Sequence, residues 1–310
     1  MSEPAPDQGR RGVAYGLAAY GLWGAVPLFW PLVAQAGSIE ILAHRIVWSF
    51  LISVVLVLVS VRRGFWTRMG NRRTLLMLGG AAAIVSVNWG TYIWSVNHGH
   101  VVETALGYYI NPILSIALGV VVLREKLSRA QWVSLGLAVA AVVVLTVDYG
   151  TLPWIALVLA VSFATYGFLK NRLGAGAVDS LAVESALLTP LALVYLGWLE
   201  LSGGATFGRL GWGFSLLLVS TGLITLVPLL FFAGAATRLP LSTLGLLQYL
   251  APTLQFVLGI TYFGEAMSTG RWVGFGLVWA ALLVMSADGL LRARRNRARS
   301  LAPDPEPAQV

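Results

Sequence analysis

Val101–Leu145, VVETALGYYINPILSIALGVVVLREKLSRAQWVSLGLAVAAVVVL, lies over Leu241–Met285, LSTLGLLQYLAPTLQFVLGITYFGEAMSTGRWVGFGLVWAALLVM, at a constant shift of 140 residues and without a gap. About fifteen of the 45 positions are identical, among them Tyr109/Tyr249, Pro112/Pro252, Gly119/Gly259, Glu125/Glu265, Ser128/Ser268, Trp132/Trp272 and Gly136/Gly276. A shared apolar composition supplies matching Leu, Val and Ala. It does not supply Pro, Trp, Tyr and Glu in fixed register. The chain is therefore read as two copies of one unit, and the fold follows from what that unit is.

Composition says what the unit is made of. The 310 residues are 57% hydrophobic and 11% charged, with mean hydropathy +0.78, whereas a soluble domain carries about 25% charged residues. The apolar residues come in runs of about twenty, enough for a helix to cross a hydrocarbon core of about 30 Å. The short alternating segments of a β-barrel are missing. The sequence thus predicts an all-α polytopic membrane protein with ten transmembrane helices arranged as two inverted five-helix repeats. The absence of cysteine excludes disulfides, thiolate nucleophiles and cysteine metal sites. Basic residues exceed acidic ones, 21 to 13, an excess assigned to cytoplasmic loops rather than to nucleic acid.

The expected spans lie near Gly12–Val33, Ile41–Val61, Thr74–Ser95, Val101–Leu123 and Arg129–Val147, then Leu152–Lys170, Leu181–Glu200, Trp212–Ala236, Thr243–Phe263 and Gly270–Leu291. Residues 1–10 are expected to be a disordered cytoplasmic tail, 11–148 the first repeat, 149–291 the second, and 292–310 a basic, then Pro-rich cytoplasmic tail. Gly12–Val33 follows Arg10 and Arg11 and imitates a signal peptide, with Ala34-Gln35-Ala36 as a mock cleavage site. Its length, and the need of the repeat for a first helix, argue against cleavage. With the amino terminus inside, the inner segments hold Arg10, Arg11, the Arg62–Arg73 loop, Arg124, Lys126, Arg129, Lys170, Arg172, Arg238 and Arg292–Arg299. The outer segments hold only Arg209 and Arg271. That bias places both termini in the cytoplasm of a bacterial inner membrane.

Five spans per copy is an odd number, so the second copy enters the membrane from the opposite side. Arg124-Glu125-Lys126-Leu127-Ser128-Arg129 and Gly264-Glu265-Ala266-Met267-Ser268-Thr269 show it, for the inner copy keeps three cations and the outer keeps none. Ser128 and Ser268 occupy N-cap positions, and Gln131 can complete a capping box. Glu125 and Glu265 are read as structural.

Inverted repeats with interrupted helices place a solute site near the bilayer midplane, where the repeats meet. Pro112 and Pro252 sit mid-span at matching positions and free the carbonyls of Tyr108 and Gln248. Such a carbonyl needs a side chain, a water or a ligand; a kink satisfied by packing is the alternative. Tyr108, Tyr109 and Asn111 flank one proline, and Gln248, Tyr249 and Gln255 the other. Asn88-Trp89 adds an amide and an indole at mid-depth, opposite Thr221, Thr225 and Pro228 in the second copy. Trp23 and Tyr166 lie deeper than interfacial belt positions. Together these residues suit a small polar or zwitterionic solute with an apolar part. Interhelical hydrogen bonding is the competing reading, at roughly 0.6–2 kcal/mol per contact.

Ionisable groups within spans are few. His44 and Glu184 stand 140 apart, and Arg45 adjoins His44. Snorkelling to the interface is one reading of His44 and Arg45. The other makes His44–Arg45 and Glu184 gating or proton-coupling groups at opposite ends of one path. Gly12 and Gly16 are read as close-packing positions. His98-Gly99-His100 lacks further ligands and is read as a solvated loop, so no metal and no cofactor is expected. Phosphate loops, zincin motifs and nucleophile elbows are absent from the sequence, which argues against an enzyme.

Glu40-Ile41-Leu42-Ala43-His44-Arg45-Ile46-Val47-Trp48-Ser49-Phe50, Asn88-Trp89, Leu106-Gly107-Tyr108-Tyr109-Ile110-Asn111-Pro112, Leu241–Gly245 and Gln248–Thr253 resemble the RarD group of EamA-type transporters, in the drug/metabolite transporter superfamily. The resemblance runs from about Arg11 to Leu291. It implies a central cavity between two halves, lined by the first, third, fourth, sixth, eighth and ninth spans, and transport of small metabolites or drugs, amino-acid-like or chloramphenicol-like, with the lipid bilayer as the other partner. The chain departs from the superfamily at Leu123-Arg124-Glu125, where Arg replaces the Gly of Phe263-Gly264-Glu265. A ligand-binding receptor or accessory protein that moves nothing is the alternative. Direction, coupling ion and oligomeric state do not follow from these residues.

Overall fold

The computed structural model describes residues 6–59, 71–123, 127–173 and 177–300. The start of the amino-terminal tail, most of the Arg62–Arg73 loop, the turn holding Arg124, Glu125 and Lys126, and the Pro-rich end of the carboxy-terminal tail lie outside the described residues. Among those described, all regular structure is helical: α1 (Pro6–Ala25), α2 (Gly37–Val59), α3 (Arg72–Asn97), α4 (Val101–Leu123), α5 (Arg129–Tyr149), α6 (Trp154–Leu173), α7 (Ala177–Leu201), α8 (Trp212–Ala236), α9 (Leu241–Leu247), α10 (Leu250–Thr261) and α11 (Thr269–Ser300). Nine segments are long and apolar enough to cross a membrane, the first of them Trp30–Val59.

The repeat is visible in the helix boundaries. α2 and α7 begin at Gly37 and Ala177, α3 and α8 at Arg72 and Trp212, α4 and α9 at Val101 and Leu241, and α5 and α11 at Arg129 and Thr269, each pair 140 residues apart. Packing follows the same exchange. α1 packs on α8 as α6 packs on α3, α4 packs on α6 as α10 packs on α1, and α2 packs on α8 as α7 packs on α3. The pairs α5–α11, α2–α7 and α4–α10 join equivalent elements across the halves.

Several local expectations are corrected. The span expected over Gly12–Val33 is not one helix. α1 stops at Ala25, and two 3₁₀ segments, Val26–Leu28 and Trp30–Ala36, follow. Pro27 and Pro31 cause this, because each lacks a helical donor and disfavours the helical conformation in the residue before it. Gly37 at φ 68° then turns the chain into α2. Trp30 is fully buried against the start of that hairpin. Pro6–Arg10, expected in a disordered tail, form the first turns of α1. Residues up to Ser300, also expected to be disordered, extend α11, for a run of arginine and alanine propagates an existing helix well. The two prolines also differ. α4 runs through Pro112, whereas the second copy is interrupted at Gln248-Tyr249, giving α9 and α10.

The main core lies where α4, α5, α6, α10 and α11 meet, around Leu106, Tyr109, Ala141, Leu145, Phe256 and Phe275. Close helix approaches depend on glycine. A Cβ on Gly107 would meet the Ala156 carbonyl oxygen at 2.8 Å, and one on Gly222 the Trp48 carbonyl carbon at 2.7 Å. Gly12 and Gly16 are close-packing positions as expected, facing Arg238, Leu239 and Leu247. The outward faces carry exposed Val143, Leu191, Val194 and Leu283, the surface that lipid tails cover.

Helix ends are tied by side chains. Ser128 and Gln131 form the expected capping box on α5, and the Ser268 hydroxyl accepts the Arg271 N–H at the start of α11. Glu265 accepts the N–H groups of Val101 and Val102, closing the start of α4. Burial pushes the Glu265 carboxyl above its ordinary value, with those two N–H groups and Arg271 opposing and Glu103 adding to the rise. Glu103 in turn accepts from Ile155 at 3.2 Å and Ala156 at 3.4 Å at the start of α6.

Candidate functional site

Asn88 lies two-thirds along α3 and is fully buried. An amide there must find partners inside the protein. Its Nδ2 donates to the Leu159 carbonyl at 3.0 Å and to Ser162 Oγ at 2.9 Å, both on α6, while its Oδ1 accepts the Tyr108 hydroxyl of α4 at 3.2 Å. One side chain thus joins three helices. Tyr108 stands edge-on to Tyr92 and to Phe163, each with ring centroids 5.7 Å apart.

Arg45 projects from α2 towards the same centre. It does not snorkel: the residue is only 8% exposed. Its Nε donates to Thr225 Oγ1 on α8 at 2.8 Å, and its guanidinium carbon lies 4.0 Å from the Trp89 ring centroid and 5.6 Å from that of Trp30. The Tyr92 and Tyr108 hydroxyls are close enough to interact with it electrostatically. Among the described residues, no carboxylate lies within 4.0 Å of Arg45. Trp89, Asn88, Tyr108 and Arg45, four of the residues singled out from sequence, therefore share one cluster.

His44 is also buried rather than interfacial. Its Nδ1 accepts Trp48 Nε1 at 3.3 Å, its ring stacks on Phe207 at 5.0 Å, and its Nε2 lies 3.9 Å from Glu40. Glu40 is engaged on its other side, where it accepts the Thr206 N–H at 2.8 Å and hydroxyl at 3.0 Å. His44 and Glu184 make no contact with each other. Glu184 accepts Lys170 Nζ at 2.9 Å and the Tyr166 hydroxyl at 3.0 Å. Tyr166 meets Phe163 at 6.2 Å, so an unbroken row of side chains, Arg45, Tyr108, Phe163, Tyr166 and Glu184, runs through the molecule.

Two clefts flank this row. One, of about 540 Å³, is lined by Ala36, Glu40, Trp94, Asn97, His98 and Tyr195. The other, of about 670 Å³, gathers Asn111, Pro112, Gln131, Asn171, Gln248 and Asp288. The second joins the flanks of both mid-span prolines, as the repeat implied. Each cleft contains a buried amide without a full set of partners: both polar atoms of Asn97 in the first and Oδ1 of Asn111 in the second.

The remaining candidates face elsewhere. Tyr109 points into the main core, with its hydroxyl 2.7 Å from Thr253 Oγ1 and its ring edge-on to Phe275 and Trp279. Tyr249 packs against that core, and Pro252 is buried within α10. Trp23 packs on Tyr20 and Phe232, and its carbonyl accepts Gln255 Nε2 at 3.1 Å. Sequence reasoning passed over Lys170, Ser162, Tyr92 and Asn97. Lys170 was counted only as a loop cation, although its position fourteen residues before Glu184 put both at one end of adjacent helices. Outside the spans, burial and the neighbouring His98 and Arg271 lower the His100 imidazole below its ordinary value. Among the described residues, no three His, Asp or Glu groups converge to hold a metal.

Comparison with known proteins places this architecture. Residues 10–147 match the model of the EamA-like transporter family. Protein RarD of Streptomyces exfoliatus is 56% identical over 303 residues, covering 97% of this chain and 96% of that protein. An uncharacterized transporter of Pseudomonas aeruginosa is 41% identical over 289 residues, covering 92% and 96%. A solved crystal structure at 17% identity and TM-score 0.56, covering 89% of this chain and 97% of that one, shares the fold alone.

Proposed function

The chain belongs to the RarD group of the EamA-like transporters, a multi-pass bacterial membrane transporter and not an enzyme, and from that premise we propose that it exports a small metabolite or drug by alternating access. The observation that carries this reading is the cluster of Asn88, Trp89, Tyr108 and Arg45, which joins α2, α3 and α4 of the first copy to α6 and α8 of the second. A solute bound there contacts both halves, which is what a rocking mechanism needs. The reading takes α1 as the tenth span, the two halves as inverted repeats, and both termini as cytoplasmic. The helix starts spaced by 140 residues and the reciprocal packing of the halves support it.

The substrate path in this reading runs from the cleft beside Glu40 and Asn97, past Arg45, Trp89, Asn88 and Tyr108, to the cleft beside Asn111, Pro112 and Gln248. Trp23 and Tyr166 flank it. Tyr109, Tyr249 and Pro252 support the walls from behind. His44 and the Lys170–Glu184 pair lie off the path at two places and are the candidates for proton coupling.

The test is a ligand screen by thermal stabilisation in detergent with amino acids, other small metabolites and chloramphenicol. Occupancy at a hundred times the dissociation constant adds about 2.7 kcal/mol. Loss of that response in Asn88→Ala, with the fold intact, supports the site. Flux of the hit in proteoliposomes with and without an imposed pH gradient then tests transport and coupling. Flux indifferent to the gradient removes the proton.

A further inference from the structure

A guanidinium at membrane depth normally has a carboxylate beside it, because burying an uncompensated charge is expensive. The other deeply placed cation shows the rule: Lys170 bonds Glu184. Arg45 breaks it. Only its Nε has a hydrogen-bond partner, the neutral Thr225 hydroxyl. Trp89 covers one face of the guanidinium plane, which leaves the Nη edge as the direction in which further bonds can form. Beside it, the Tyr92 hydroxyl is buried and has no partner at all. Two sets of donors, one cationic and one neutral, are thus held together without an acceptor.

Access exists along the same two helices. Glu40 on α2 and Trp94 on α3 line the 540 Å³ cleft. Each is five residues from its counterpart in the cluster, Arg45 and Trp89, which is about 7.5 Å of helix rise. The unpartnered amide of Asn97 faces the cleft.

We propose that Arg45 and Tyr92 receive the carboxylate of the transported molecule, so that the substrate supplies the missing counter-charge. This rests on the transporter reading above and narrows it to carboxylate-bearing solutes, amino-acid-like rather than chloramphenicol-like. A planar carboxylate fits the fork of Nη donors edge-on, a geometry that lysine cannot reproduce. The aromatic rings of Trp89, Tyr108 and Phe163 take the apolar part.

The experiment uses the full chain purified in detergent, as wild type, R45Q, R45K and Y92F. Each is titrated with L-phenylalanine, L-leucine, phenylacetate and 4-methylpentanoate, and with the primary amide of each, by calorimetry and thermal shift. We expect at least one acid to bind while its amide does not. The affinity for that acid should fall by about tenfold or more in R45Q and stay reduced in R45K. Y92F should weaken it several-fold without lowering the melting temperature of the unliganded protein, since the hydroxyl has no internal bond to lose. Y92F and the acid–amide contrast keep the test valid should R45Q not fold. Binding of amides as tightly as acids, unchanged acid affinity in Y92F or R45Q, or no binding of any acid overturns the proposal. Chloramphenicol flux at the wild-type rate in R45Q proteoliposomes would also overturn it and leave the transporter reading standing. Acid binding with the expected variant pattern but no flux of that acid would keep the site and overturn alternating access.

Discussion

The Ser128 hydroxyl lies 3.1 Å from Asp288 Oδ2, and the residues 140 positions away from each, Ser268 and Asp148, make the same bond at 2.5 Å. Each serine caps the start of its helix, and each aspartate lies near the end of the facing one. α5 and α11 are therefore antiparallel and locked at both ends by the same pair, exchanged. Ser128→Ala removes a half-buried cap and should cost about 1–2 kcal/mol. Ser268→Ala, at an exposed position, should cost less. Chemical or thermal unfolding of the two variants side by side checks the order.

Gly107→Ala and Gly222→Ala should be the most damaging methyl additions. Each Cβ would strike backbone, at 2.8 Å and 2.7 Å, with no flexible side chain to give way. Overpacking of this kind costs about 1–3 kcal/mol. Gly136→Ala and Gly276→Ala, which face open space, should be close to neutral by the same melting assay.

Lys170→Ala strands Glu184 in the interior with only the Tyr166 hydroxyl, and removal of one member of a buried pair costs about 3–5 kcal/mol. Partial exposure of Lys170 puts the expectation at the lower end. The double variant Lys170→Met/Glu184→Leu should recover much of that loss. Recovery in stability without recovery of flux would separate a functional role for the pair from a structural one.

Glu265→Gln keeps an acceptor for Val101 or Val102 but removes a titration. The wild-type carboxyl is held above its ordinary value of 4.5 by burial. Folding therefore takes up a proton just above that pH, and the stability this contributes is full below 4.5 and fades as pH rises through the raised value. Melting temperature followed upwards from pH 4.5 should fall more for wild type than for E265Q; parallel curves would contradict the assignment.

Tyr108→Phe should melt within about 1.5 kcal/mol of wild type, since one neutral hydrogen bond to Asn88 is lost and the ring contacts stay. Asn88→Ala removes partners from Tyr108, Ser162 and the Leu159 carbonyl together and should cost more. A binding isotherm with any solute found in the screen should weaken in both.

Much of this organisation was legible in the chain because identity in fixed register survives when apolar composition is discounted. The caps at Ser128 and Ser268 followed from spacing alone. Asp148 and Asp288 were missed because the comparison ended at Leu145 and Met285, three residues short of them. Tyr108 and Tyr109 could not be told apart, since neighbours on a helix point about 100° apart and apolar residues surround both. One reaches Asn88 and the other the Phe275 core. The direction of Arg45 was equally hidden, for a long stem can run towards the interface or the centre, and only the positions of Thr225 and Trp89 decide it. Hydropathy overran the end of α1 because Pro27 and Pro31 interrupt a run that stays apolar.

The linked carboxylates at the helix starts have a mechanical consequence. Glu265 holds the start of α4, and Glu103, one turn further on, holds the start of α6. To slide α4 past either neighbour would strip acceptors from backbone N–H groups that have no alternative partner. These three segments therefore travel as a single strut. Whatever opens and closes in this molecule hinges around that strut and does not pass through it.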